Sequence, residues 1–140
     1  MNDHLILRVV GKFLIPYVML FGLYVQFHGD FGPGGGFQAG AIFACGFVIH
    51  TLLFGSRSTE QIVSIGFLRV ISALGVLVYA GVGVASLLLG GEFLNYNVLA
   101  ADPITGQHIG IIVVEFGVGL TVASTITLLL MIFAERGLPS

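Results

Sequence analysis

His28-Gly29-Asp30-Phe31-Gly32-Pro33-Gly34-Gly35-Gly36-Phe37-Gln38-Ala39-Gly40 lies between two long apolar runs, and its composition predicts a tight connection between helices. Gly32 and Gly34 to Gly36 are expected to take positive φ and to let backbones approach closely, while Pro33, with φ near about −65°, ends the helix before it. Phe37 then opens the next helix. A turn of this kind exposes N–H groups, which raises the question of a phosphate loop. A phosphate loop follows a strand and usually ends in Lys-Ser/Thr, whereas apolar helices flank this stretch and no Lys lies nearby.

The flanking runs set the fold class. A bilayer core of about 30 Å calls for about 20 apolar residues per helix, and four runs qualify: residues 5–27 (or from Val9), 37–54, 62–89 (or from Phe67) and 109–134. The reading is an all-α integral membrane protein with four transmembrane helices in a single domain over residues 1–140. Composition agrees, with 56% hydrophobic and 9% charged residues and a mean hydropathy of +1.06. Soluble domains carry about 25% charged residues. A net charge of −2 is too small to argue for a nucleic-acid or acidic-substrate partner. The single cysteine, Cys45, supports neither an intrachain disulfide nor a thiolate metal site. The basic N-terminus followed by apolar residues resembles a signal peptide. The run continues through Phe27 without an Ala-x-Ala-like site, however, and is read as the first membrane helix.

Along the chain, Arg8 and Lys12 stand one turn apart where the first helix enters the membrane and are long enough to snorkel, and Pro16 is expected to kink that helix. Gly36, Gly40 and Ala44 give the second helix a small-residue face. A polar loop is expected from Gly55 to Gln61, with Arg57 and Glu60. The third helix has Arg69 near its start and carries Ser72, Gly75, Tyr79, Gly83 and Ser86 on one face, read as helix packing rather than ion transport. The connection over residues 90–108 has two acids and no Lys or Arg. Phe93, Leu94 and Tyr96 suit an interfacial segment, and Asp102-Pro103 with Thr105-Gly106 reads as a turn. Gly110, Gly117 and Ser124 recur at seven-residue spacing on the fourth helix. All five basic residues fall at the termini or in and beside the Gly55–Gly66 segment, which predicts that both termini are cytoplasmic and that the glycine turn and residues 90–108 face outward.

Few residues can carry chemistry. Glu115 is the costliest, because an acid at the centre of a membrane helix costs about 2.5–3.5 kcal/mol on insertion scales and less near the interface. It is either a proton or cation relay or a hydrogen-bonded carboxyl serving assembly. His50, in the cytoplasmic half of the second helix, has the intrinsic affinity for proton transfer, but a lone histidine is more often a packing residue. His28, Asp30, Asp102 and His108 can form an outward polar mouth or can merely cap helix ends. No metal-site spacing, nucleophile arrangement or cofactor signature is present in the sequence, so no cofactor is expected and the chain is not read as an enzyme.

Pro33-Gly34-Gly35-Gly36-Phe37-Gln38-Ala39-Gly40, preceded by His28-Gly29-Asp30, resembles the signature of the small MnhB-type (MrpB-type) subunits of Mrp-type multisubunit Na⁺/H⁺ antiporters. The likeness runs along nearly the whole chain, although only the glycine-rich motif is specific. It implies a cell-membrane component of a complex that exchanges Na⁺ for H⁺, packed beside a large complex I-like subunit and other small subunits. In that setting Pro33 and Phe37 would set the turn and dock it against a neighbour, with Gly34, Gly35, Gly36 and Gly40 permitting the approach. The same module occurs in the membrane arm of membrane-bound hydrogenases, which is the alternative reading. A self-sufficient homo-oligomeric transporter ranks third, because such proteins usually place their acid in the first helix.

Overall fold

The computed structural model describes residues 4–28 and 34–137, all of its regular structure being helical. Asp30 and Pro33, and with them the centre of the glycine turn, lie outside the described residues. The helices are α1 (Leu5–His28), α2 (Gly36–Phe54), α3 (Ser56–Ile62), α4 (Ile65–Leu88) and α5 (Pro103–Arg136), with a short 3-10 turn at Tyr96–Val98. α1, α2, α4 and α5, of 24, 19, 24 and 34 residues, are long and apolar enough to cross a membrane. Pro16 lies inside α1, whose helical run it does not interrupt.

The helices form a row rather than a closed ring. α5 packs along α2 on one side and along α4 on the other, and α1 joins the row through α2. Small residues make these seams. A Cβ on Gly40 would stand 2.6 Å from the Gly119 carbonyl oxygen and 3.2 Å from the Ala123 nitrogen, and one on Gly22 would stand 2.9 Å from the Phe43 nitrogen. On the other side of α5, a Cβ on Gly75 would meet the Thr121 hydroxyl and lie 2.7 Å from the Gly117 carbonyl oxygen, while Ser72 and Thr125 share a 3.0 Å hydrogen bond. In lipid, helices associate through such close backbone approach and a few hydroxyl bonds, since burying apolar surface gains little there. The faces read from Gly36/Gly40/Ala44, from Ser72/Gly75 and from Gly117/Ser124 are therefore the packed ones, and most large apolar side chains point outward. Buried apolar packing is concentrated where Val63, Leu68 and Met131 meet Phe47, Ile65 and Leu128.

The structure changes three expectations. Gly35 and Gly36 do not occupy the left-handed region, and Gly35 is extended at φ 172°. What requires glycine at position 36 is contact: a Cβ there would run into the Glu115 carbonyl on α5. Secondly, the Gly55–Gln61 loop is mostly helix α3. Gly55, at φ 89°, turns the chain between α2 and α3, and Thr59, fully buried, binds back to α2 through its side chain. Ser64 then caps α4 by accepting from the Phe67 N–H at 3.1 Å. Thirdly, Asp102-Pro103 is not a turn but the start of α5. Asp102 accepts from the Ile104 N–H at 3.3 Å and from the Thr105 hydroxyl at 3.1 Å, with Pro103 in the first helical turn, where its missing N–H costs nothing. Gly106 is thus inside the helix, buried beneath the Tyr96 carbonyl.

Candidate functional site

Two polar clusters stand out, at opposite ends of the α2–α5 pair. The first surrounds Glu115. With α5 starting at Pro103, Glu115 is about three turns into the helix rather than two, roughly 18 Å along its axis. Its backbone nevertheless packs against Gly36, the first residue of α2, which places the carboxyl level with the start of that helix. Glu115 Oε1 lies 3.6 Å from where a Gly35 Cβ would be, near the first turn of α2, whose N–H groups have no partner within the helix. Gly35, the residue at its N-cap, has no side chain with which to cap it. A carboxylate so placed is favoured by the helix dipole, and close to the interface its insertion cost is reduced.

α1 adds an amide to this cluster. Gln26 is half-buried, and its Oε1 is close to Gly119, one turn beyond Glu115. Gln26 and Glu115 line a cavity of about 270 Å³ together with Phe27, Ile112, Val113 and Phe116. A larger apolar groove of about 370 Å³ adjoins it, lined by α1, α2, α4 and α5 through residues such as Gly22, Phe43, Ile71, Phe116 and Leu120. Tyr96 closes over α5 from outside, its ring against Gly110. Burial pushes the Tyr96 phenol up, with Tyr79 and then Glu115 acting in the same direction.

The remaining candidates expected at this end separate. Asp102 is an N-cap, His28 stacks on Tyr24 with ring centroids 5.1 Å apart, and His108 is exposed on the first turns of α5. Among the described residues, no three His, Cys, Asp or Glu side chains group as metal ligands. Phe37 is 65% exposed, a large ring left available to a neighbour at the mouth of the α2–α5 seam.

The second cluster ties α3 to α2. His50 Nδ1 and Thr59 Oγ1 are 2.8 Å apart, Thr59 Oγ1 and Thr51 Oγ1 are 2.9 Å apart, and the Thr51 hydroxyl reaches the Phe47 carbonyl at 2.8 Å. The His50 ring also rests on Phe54 at 4.9 Å, and Lys12 from α1 stands over that same Phe54 at 5.5 Å. Of the partners, Gln26 and Thr51 are not among the residues that sequence pattern singles out, Tyr96 is read from sequence only as interfacial, and Thr59 is read as a loop residue with no partner histidine, whereas the fold sets it against His50. A glutamine in an apolar run is a visible signal for the first, whereas the threonines gain meaning only from the fold of α3.

A family model described as a domain related to the MnhB subunit of Na⁺/H⁺ antiporters matches residues 6–128. Among curated relatives, sequences from Staphylococcus aureus strains Newman, JH1 and USA300 that bear the provisional name antiporter subunit mnhB2 are each 32% identical over 133 residues. Each alignment covers 93% of this chain and 93% of the relative.

Proposed function

Since the chain belongs to the MnhB-related family of Na⁺/H⁺ antiporter subunits, we propose that it is a small subunit of a multisubunit monovalent-cation/proton antiporter of the prokaryotic plasma membrane. It is a transporter component and not an enzyme, holds no cofactor of its own, and has Na⁺ and H⁺ as the ions its complex carries. Its four long helices form one membrane domain with both termini in the cytoplasm, by the placement of all five basic residues at one end. Its partners are a large complex I-like subunit and further small subunits. Its first task is assembly. A row of helices with an open apolar groove and an exposed Phe37 beside the glycine seam offers a surface that partner helices can close. Its second is to line part of an ion path beside Glu115.

The observation that carries this reading is Glu115 itself. Its backbone is wedged against Gly36, and its side chain shares a cavity with Gln26. An acid retained in such a place is a functional candidate by default in a membrane helix. The test is cation/proton exchange in inverted vesicles from cells expressing the whole gene cluster, with a pull-down of the complex. Deleting this chain is expected to abolish both exchange and the intact complex. Glu115→Gln keeps the volume and the amide-sized contacts, so it is expected to leave assembly intact while lowering exchange at least tenfold. If that variant assembles and exchanges as the parent does, Glu115 is a structural residue only.

A further inference from the structure

The His50 cluster contains more short contacts than a freely chosen tautomer can satisfy, and counting hydrogens fixes its direction. Thr51 and Thr59 have one hydroxyl hydrogen each. If Thr51 donates to the Phe47 carbonyl (2.8 Å), the Thr51–Thr59 contact (2.9 Å) must use the Thr59 hydrogen, and the Thr59–His50 contact (2.8 Å) must then use a hydrogen on Nδ1. Every hydrogen is used once, and the one bond set aside is the longer one from Thr59 to the Gly55 carbonyl at 3.3 Å. If Nδ1 were instead the acceptor, one contact shorter than 3 Å would bring two oxygens together with no hydrogen between them. The neutral ring therefore carries its hydrogen on Nδ1 and its lone pair on Nε2. Protonating Nε2 leaves every donor in the chain as it was.

We infer that His50 Nε2 is a proton-binding site at the basic end of the molecule, and that the Thr59–Thr51–Phe47 hydrogen-bond chain holds the ring in the tautomer that can take up and release that proton without loosening α3. The inference rests on the antiporter reading for its use, which is proton exchange between this face and the complex, but not for its structure. Ionisable groups on the elements packed at this level are Arg8 and Lys12 on α1, Arg57 and Glu60 on α3, Arg69 near the start of α4, and Glu135 and Arg136 at the end of α5. Lys12 is placed by its contact with the Phe54 ring, which also carries His50. α2 itself contributes no acid. A latch that opened on protonation would need His50 to be an acceptor in its neutral state, the arrangement that leaves one short oxygen–oxygen contact without a hydrogen of its own.

The test uses the full chain labelled with ¹⁵N-histidine, co-expressed with the other products of its gene cluster and placed in lipid nanodiscs. His50→Asn identifies which resonances belong to position 50. The expected result is that Nδ1 keeps its hydrogen across about pH 4 to 8 while Nε2 gains and loses one within that range. Thr59→Val is expected to let the hydrogen move between the two ring nitrogens, and Thr59→Ser to restore the wild-type pattern. A neutral ring with its hydrogen on Nε2, or an Nε2 that never titrates in that range, overturns the inference. In vesicles, His50→Asn keeps a donor in place of Nδ1–H and is expected to assemble at wild-type yield with a flattened pH dependence of exchange. His50→Ala is expected to lower the yield as well. Equal loss of complex in both variants would assign His50 a purely structural part. Failure of the parent complex to exchange cations would instead defeat the antiporter reading and leave the ring titration standing.

Discussion

At the scale of single residues, the glycines divide into those that touch another helix and those that do not. A Cβ at Gly40 has backbone on two sides, with the Gly119 carbonyl oxygen at 2.6 Å and the Ala123 nitrogen at 3.2 Å, so α2 and α5 must separate to admit it. Gly40→Ala is expected to cost about 1–3 kcal/mol, as overpacking of a fitted contact does, and to lower the thermal midpoint of the detergent-solubilised chain. Gly66→Ala is the control. Nothing lies within 4 Å of a Cβ there, and the change is expected to be neutral or to stabilise α4 by up to about 1 kcal/mol. The four-residue spacing of Gly36, Gly40 and Ala44 made this seam legible in the sequence, because only one helix face can hold residues so spaced. The role of Gln26 was not legible. Its meaning depends on which helix lies across from it, and spacing within α1 carries no such information.

At the scale of elements, the four long helices were readable from apolar run length, and the shorter features were not. α3 was hidden because six polar residues in a row look like a loop until Thr59 is seen buried against α2. The start of α5 was misplaced by six residues, although Asp102-Pro103 carried the signal of an N-cap followed by proline at the first helical position. Asp102 offers a test that separates capping from ion handling. Asp102→Ala removes the acceptor for the Ile104 N–H and is expected to destabilise by about 1 kcal/mol, whereas Asn caps nearly as well. Thermal unfolding and cation exchange are therefore both expected to be near wild type in Asp102→Asn. A variant that keeps its stability but loses exchange would return Asp102 to the ion path.

At the scale of the whole molecule, the five basic residues lie on α1, α3, α4 and the end of α5, and the alternating run of the four long helices brings those positions to one end of the row. That arrangement predicts sidedness. With Cys45→Ser as the background, a cysteine at exposed Ala101 is expected to react with a membrane-impermeant maleimide in intact cells, and a cysteine at Gly66 only after lysis. The reverse pattern would invert the topology and, with it, the side from which His50 is reached.

The central position of α5 bears on how the protein is made. It is the helix between α2 and α4, and it is the last of the four long helices in chain order. As the chain leaves the ribosome, α1 and α2 can pair once both are in the bilayer, but α4 has to wait among acyl chains with Ser72 and Gly75 uncovered until α5 arrives. Biogenesis is therefore decided at its final step. A nascent chain stalled before residue 103 lacks the helix that joins its two halves, and its polar seam stays open to lipid.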